Sequence, residues 1–210
     1  MCSSDLKVDT AVESLVKAGE IKPVIVVGVY NSFRRDDEMM GWSRYHQEDV
    51  LKKKNQPIET TLSWAKAYDY FFAIEVKALI DKKFRTLADR ENTAVGGASS
   101  GAMVALYELF THADIYSKCA ALSGGFPYYD DLRQDYFPNR SDSFIYLDCG
   151  TISLDAQLLP ATQSMDSFLK DNGYVEGENY YYEEVRGGDH NERNWADRVP
   201  KFLKLFFPAN

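Results

Sequence analysis

Three residues of this chain have the types, and the order, that nucleophilic acyl chemistry needs: Ser99, Asp155 and His190. Ser99 lies in Gly97-Ala98-Ser99-Ser100-Gly101, a G-x-S-x-G pattern. The pattern is short, so its weight rests on context: a strand must turn sharply into a helix there, lifting the hydroxyl clear of its surroundings. In that setting the backbone N–H of Ser100 faces a developing oxyanion, helped by the positive end of the new helix. His190 lies in the glycine-rich stretch GGDHNE, residues 187–192. A neutral imidazole there would take the Ser99 proton and return it to a leaving group. A carboxylate is then needed to hold the imidazole's tautomer. Asp155, five residues after Gly150, suits that role and equally suits a helix N-cap. Asp148 falls inside an apolar run and is expected within a strand. The other two histidines are weaker candidates. His46 sits in a polar stretch that predicts a solvated side chain, and His112 follows a helix and is expected at the surface.

The elements that must position these groups can be read from periodicity. Residues 23–29 (PVIVVGV) form a near-continuous β-branched run, the pattern of a strand buried on both faces of a parallel sheet. Residues 31–45 are polar and irregular and predict a long loop. Trp64, Tyr68, Phe72, Val76, Leu79 and Ile80 recur at helical spacing, so 61–84 predicts an amphipathic helix. Further strands are predicted at 93–98, 117–122, 143–149 and 179–185. Helices are predicted at 100–110, at 158–171, and from Trp195 to Phe206 with a bend near Pro200. Strand and helix alternate, which predicts an α/β chain with a doubly wound, mostly parallel sheet. In such sheets the chemistry lies beyond the carboxyl ends of the strands. Ser99 and His190 are predicted directly at such ends, and Asp155 shortly beyond one.

Composition bounds the rest. The chain has 210 residues, 45% apolar and 27% charged, which suits one soluble domain over 1–210. A net charge of −8 argues against nucleic acid as a partner. No stretch is long and apolar enough to span a membrane, and no signal peptide is evident. Cys2, Cys119 and Cys149 show no metal-like spacing, and the last two are expected as buried thiols. No P-loop, dinucleotide fingerprint or H-E-x-x-H motif occurs, so no cofactor and no metal is expected. The first six residues, MCSSDL, include CSSDL, which a common sequencing-adapter end would encode. The expectation is a chain cut upstream, with 1–6 foreign to it.

On these residues the sequence resembles the "Putative esterase" family of α/β-hydrolases, which includes the esterase D, enterochelin esterase and feruloyl esterase groups. The likeness runs from about Val12 onward. It rests on IKPVIVVGVYN (21–31), the stretch 85–126 containing GGASSG and ALSGGF, YLDCGT (146–151) and GGDHNERNWADRVPKFL (187–203). The order Ser, Asp, His is that of α/β-hydrolases. The resemblance implies an α/β-hydrolase fold and carboxylic ester hydrolysis through an acyl-enzyme. It implies Ser99 as nucleophile, His190 as base, and an acid in the loop after Gly150.

Two departures stand out. Many relatives carry the acid three residues after the glycine of YLDCGT, a position that is Ser153 here, so Asp155 must serve after a loop shift or the acid is missing. Relatives also carry strands before the equivalent of Ile21, one of which leads into the loop supplying a second oxyanion donor. Two alternatives follow. The 23–29 strand moves beside the Ser99 strand, with Tyr30 or Asn31 donating the second N–H, or a second chain fills the gap in a homodimer. The rival readings are a catalytically silent binding module of the same fold and an acyltransferase with the same nucleophile.

Overall fold

The structure is a computed structural model and describes residues 6–125, 127–138 and 141–209. The opening stretch 1–5, including most of CSSDL, lies outside the described residues.

The described chain begins with helix α1 (Val8–Lys17), then passes without helix or strand to α2 (Arg35–Met40) and α3 (Arg44–Lys54). Next comes α4 (Ile58–Asp69), which widens into a π-helical stretch (Tyr70–Val76) and continues as α5 (Lys77–Lys83). The expected 61–84 helix is thus present, with a π segment in its middle. The core follows in strict alternation: β1 (Ala94–Ala98), α6 (Ser100–Thr111), β2 (Lys118–Leu122), α7 (Tyr128–Asp131), β3 (Phe144–Gly150), α8 (Ser153–Asp171) and β4 (Tyr180–Val185). Two C-terminal helices close the chain, α9 (Glu192–Ala196) and α10 (Val199–Phe206). The break between them falls at Asp197 and Arg198, and Pro200 sits in the first turn of α10, where its missing N–H costs nothing.

The four strands are parallel and neighbour one another in chain order, β1-β2-β3-β4. Alternate residues divide the sheet into two faces. Val95, Cys119, Ala121, Ile145 and Leu147 join the apolar layer of α6 and α8, with Met103, Leu106, Met165 and Leu169. Ala98, Ala120, Leu122 and Tyr146 join Trp195 and Phe206 on the opposite side. Helices therefore cover both faces, as the alternating pattern predicts. The Cys119 and Cys149 thiols are buried. Among the described residues no helix is long and apolar enough to cross a membrane.

Two expectations fail. Residues 23–29 form no strand: they have no regular secondary structure and no ladder partners, and Ile25, Val26 and Val27 are exposed. A β-branched run specifies a strand only if a neighbouring edge pairs with it, and here the segment stands off β1 across a cleft. That cleft has a volume of about 470 Å³ and is lined by both stretches together with Tyr68, Phe72 and Ile80. The 31–45 loop is in large part helical. Asp37 and Glu38 of α2 are buried, the first with His46 of α3 and the second with Ser32. Polarity concealed these helices because their inward faces are held by hydrogen bonds.

Candidate active site

A parallel sheet brings the carboxyl ends of all its strands to one edge. Here that edge gathers Ser99 after β1, Ser123 after β2, Asp155 after β3 and His190 after β4. Ser99 holds φ 56° and ψ −125°, a conformation costly for a residue with a Cβ. The turn is tight because Gly97 crosses directly over the next helix: a Cβ on Gly97 would lie 2.5 Å from the carbonyl oxygen of Gly101. A Cβ on Gly101 would meet nothing within 4 Å. Only the first glycine of the pattern is therefore sterically required.

Ser99 Oγ lies 2.9 Å from His190 Nε2, and His190 Nδ1 lies 2.6 Å from Asp155 Oδ1. With Nδ1–H donated to the carboxylate, Nε2 presents its lone pair to the hydroxyl. Asp155 belongs to the first turn of α8 and does not act as its N-cap, which is Ile152. Helix α8 starts at Ser153, five residues before the expected start, with Ser153 at φ 52°. With that start, Asp155 and not Ser153 presents a carboxylate to His190. Gly150 makes room for it: a Cβ there would collide with the Asp155 carboxylate and the Gly188 carbonyl. The loops after β3 and β4 are joined by Thr151 N–H to Gly188 O (3.0 Å) and Gly187 N–H to Thr151 Oγ1 (2.8 Å). His190 also packs edge-on against Trp195, with ring centroids 4.8 Å apart.

A second tier escaped the sequence reading. Asp155 Oδ2 accepts from Ser123 Oγ–H (2.7 Å) and from Gly150 N–H (2.8 Å). Ser123 Oγ in turn accepts from Trp195 Nε1–H and Arg198 Nη1–H, both at 3.0 Å, so its donor and both acceptor positions are used. Arg198 Nη1 also donates to Asp148 Oδ1 at 2.8 Å, and its Nη2 lies 3.6 Å from Asp155. Asp148, Asp155 and Arg198 are all buried. Burial works to raise the Asp155 carboxyl. The hydrogen bonds from His190, Ser123 and Gly150 outweigh it and hold the group below the usual carboxylate range. Asp148 differs: burial dominates over Arg198 and pushes it up to about 6. The motif GGDHNERNWADRV contains Trp195 and Arg198, but nothing in its spacing shows that they reach back to β2 and β3.

The remaining predicted residues lie as follows. Ser100 opens α6, where the first N–H groups have no acceptor within the helix. Asn31 lines the cleft that Gly97 and Ala98 also line, while Tyr30 is 70% exposed. His46 is buried against Asp37, not solvated, and His112 is half-buried against Asp69, not at the surface. Neither is placed with Ser99.

Comparison with known proteins agrees with this architecture. No curated protein sequence matches the chain. Among solved structures, a ferulic acid esterase superposes with a TM-score of 0.66 at 19% identity, covering 98% of this chain and 78% of that one. A ferulic acid esterase from Anaeromyces mucronatus gives 0.58 at 16% identity, covering 93% and 70%. The enterobactin esterase of Shigella flexneri gives 0.60 at 14% identity, covering 92% of this chain and 46% of its own length. At these identities the likeness shows the fold. The family model described as "Putative esterase" matches residues 2–206, and the chain belongs to that family, with the α/β-hydrolase fold.

Proposed function

We propose that this protein hydrolyses carboxylic esters through an acyl-enzyme on Ser99, with His190 as general base and acid and Asp155 as the orienting carboxylate. The observation that carries this reading is the unbroken relay of Ser99 Oγ, His190 Nε2, His190 Nδ1 and Asp155 Oδ1, at 2.9 and 2.6 Å.

Ser99 Oγ attacks the ester carbonyl carbon while its proton passes to His190 Nε2. The tetrahedral oxyanion is met by the N–H of Ser100. Asp155 stays ionised and stabilises the imidazolium through Nδ1–H. Collapse breaks the bond to the alcohol oxygen, which takes the proton from Nε2 and leaves the acyl group on Ser99. Water then attacks the acyl carbon, giving a proton to Nε2. The second collapse frees the acid and returns that proton to Ser99 Oγ. Asn31, on the cleft side of β1, is the candidate for the second contact to the oxyanion. Loss of one such donor costs roughly 3–4 kcal/mol of transition-state stabilisation.

The test is intact-mass analysis after exposure to a fluorophosphonate. One adduct on the original chain, absent from Ser99→Ala, is the expected outcome. A folded chain that takes no adduct would overturn the hydrolase reading in favour of a silent binding module.

A further inference from the structure

The opposite end of α6 carries a second cluster of ionisable groups that the chemistry at Ser99 does not use. Glu108 and His112 are four residues apart on α6 and so share one face of its last turn. Asp69 reaches them from the last residue of α4, where that helix widens into the π segment. His112 Nε2 lies 2.8 Å from Asp69 Oδ1 and 3.9 Å from Glu108 Oε2. One ligand atom from each of the three lies within 4.8 Å of the others.

Glu108 makes this cluster more than a surface ion pair. Its side chain is 1% exposed, and Oε2 has no hydrogen-bond partner among the described residues. No Lys or Arg among them forms an ion pair with it. An unpaired buried carboxylate is costly, and this one points at His112, in the last turn of α6, where the negative end of the helix dipole favours a cation. Burial first, and the neighbouring Asp69 second, push its carboxyl up to about 9. Asp69 and His112 keep side-chain exposures of 23% and 20%, which leaves an entry path from solvent.

We infer that Asp69, Glu108 and His112 form a binding site for a divalent transition cation. The donors fit such an ion. Around zinc at about 2.1 Å from each ligand, tetrahedral donors stand about 3.4 Å apart. The present 2.8 and 3.9 Å separations bracket that value and need only small side-chain rotations. One imidazole with two carboxylates suits zinc or manganese, and the imidazole disfavours magnesium and calcium. Three protein ligands leave a fourth position for water. The bound ion would take the place of the proton that Glu108 otherwise holds and would tie α4 to the end of α6. The sequence could show only the Glu108–His112 half of this site, since Asp69 stands 43 positions before His112.

The test is calorimetric titration of the chelator-treated chain with Zn²⁺ in the presence of excess Mg²⁺, with the melting temperature followed in parallel. The expected result is one saturable site per chain and a rise in melting temperature. Asp69→Asn and His112→Gln should each weaken binding at least about tenfold, while His46→Gln and His190→Gln leave it unchanged. The His190 control separates this site from adventitious metal at Ser99. Asp69 is partly exposed, so its variant should fold, and the titration of the unaltered chain decides independently. No saturable uptake, competition by Mg²⁺, or uptake that survives both substitutions would overturn the assignment.

Discussion

The two ends of α6 contain similar parts and differ in what the histidine faces. At the N-terminal end His190 spends Nδ1 on Asp155 and turns Nε2 to a hydroxyl. At the C-terminal end His112 directs Nε2 at Asp69 with Glu108 beside it. A close His–Asp pair therefore occurs twice on one helix axis, at 2.6 and 2.8 Å, and by itself indicates no particular chemistry. Proton relay needs the second ring nitrogen free to meet a nucleophile. A second carboxyl group near the same nitrogen makes a place for a positive ion. The helix dipole agrees: the positive end of α6 lies beside Ser99, where the proposed oxyanion would form, and its negative end lies at Glu108 and His112.

The contrast can be broken most sharply by paired substitutions. Asp155→Asn should lower kcat for a short aryl ester on the order of 10⁴-fold, because the imidazole then adopts the wrong tautomer. Asp69→Asn, chemically the same change, should leave kcat nearly unaltered. Equal losses in the two variants would remove the distinction. Next in size is the layer beneath the Ser99 end. Arg198→Met strands Asp148 and Asp155 in the interior and should cost about 3–5 kcal/mol in denaturant unfolding.

Titration sharpens the same point. Asp148 is raised to about 6 in the folded state, from an ordinary value of 3.8. The folded chain then holds the proton more tightly, so stability falls as pH rises from about 4 to 6, by roughly 3 kcal/mol for this group. Asp155 contributes the opposite sign. Its lowered folded value adds stability above the unfolded carboxylate range, and that gain is lost as pH falls. Unfolding curves across this window should lose their Asp148 slope in Asp148→Asn; an unchanged slope would refute the account. Smallest is the backbone at Ser99. Ser99→Gly should abolish activity yet raise stability by about 1 kcal/mol, because glycine takes a positive φ without strain.

Much of this site was legible from residue types, and the limits have physical causes. The four strands are short runs ending just before Ser99, just before Ser123, at Gly150 and two residues before Gly187, and parallel topology does the rest. Asp155 could be chosen over Asp148 because an in-strand carboxylate points into a helix layer, and Asp148 does so, meeting Arg198. Ser123, Trp195 and Arg198 were not legible, because their roles arise from contacts 72 and 75 positions apart. The 23–29 run misled because β-branching reports fitness for a ladder, not the presence of a partner. His46 misled because a polar stretch can fold inward when each polar group finds another, as His46 does with Asp37.

The cleft beside β1 has a consequence in time. Ser99 N–H bonds to Leu122 O, so the amides of Gly97 and Val95 point the same way, towards β2. Those of Gly96 and Ala98 alternate to the other side and face the cleft. Their protons should therefore exchange with solvent deuterium much faster than those of their immediate neighbours, writing a two-residue rhythm into the strand that delivers Ser99.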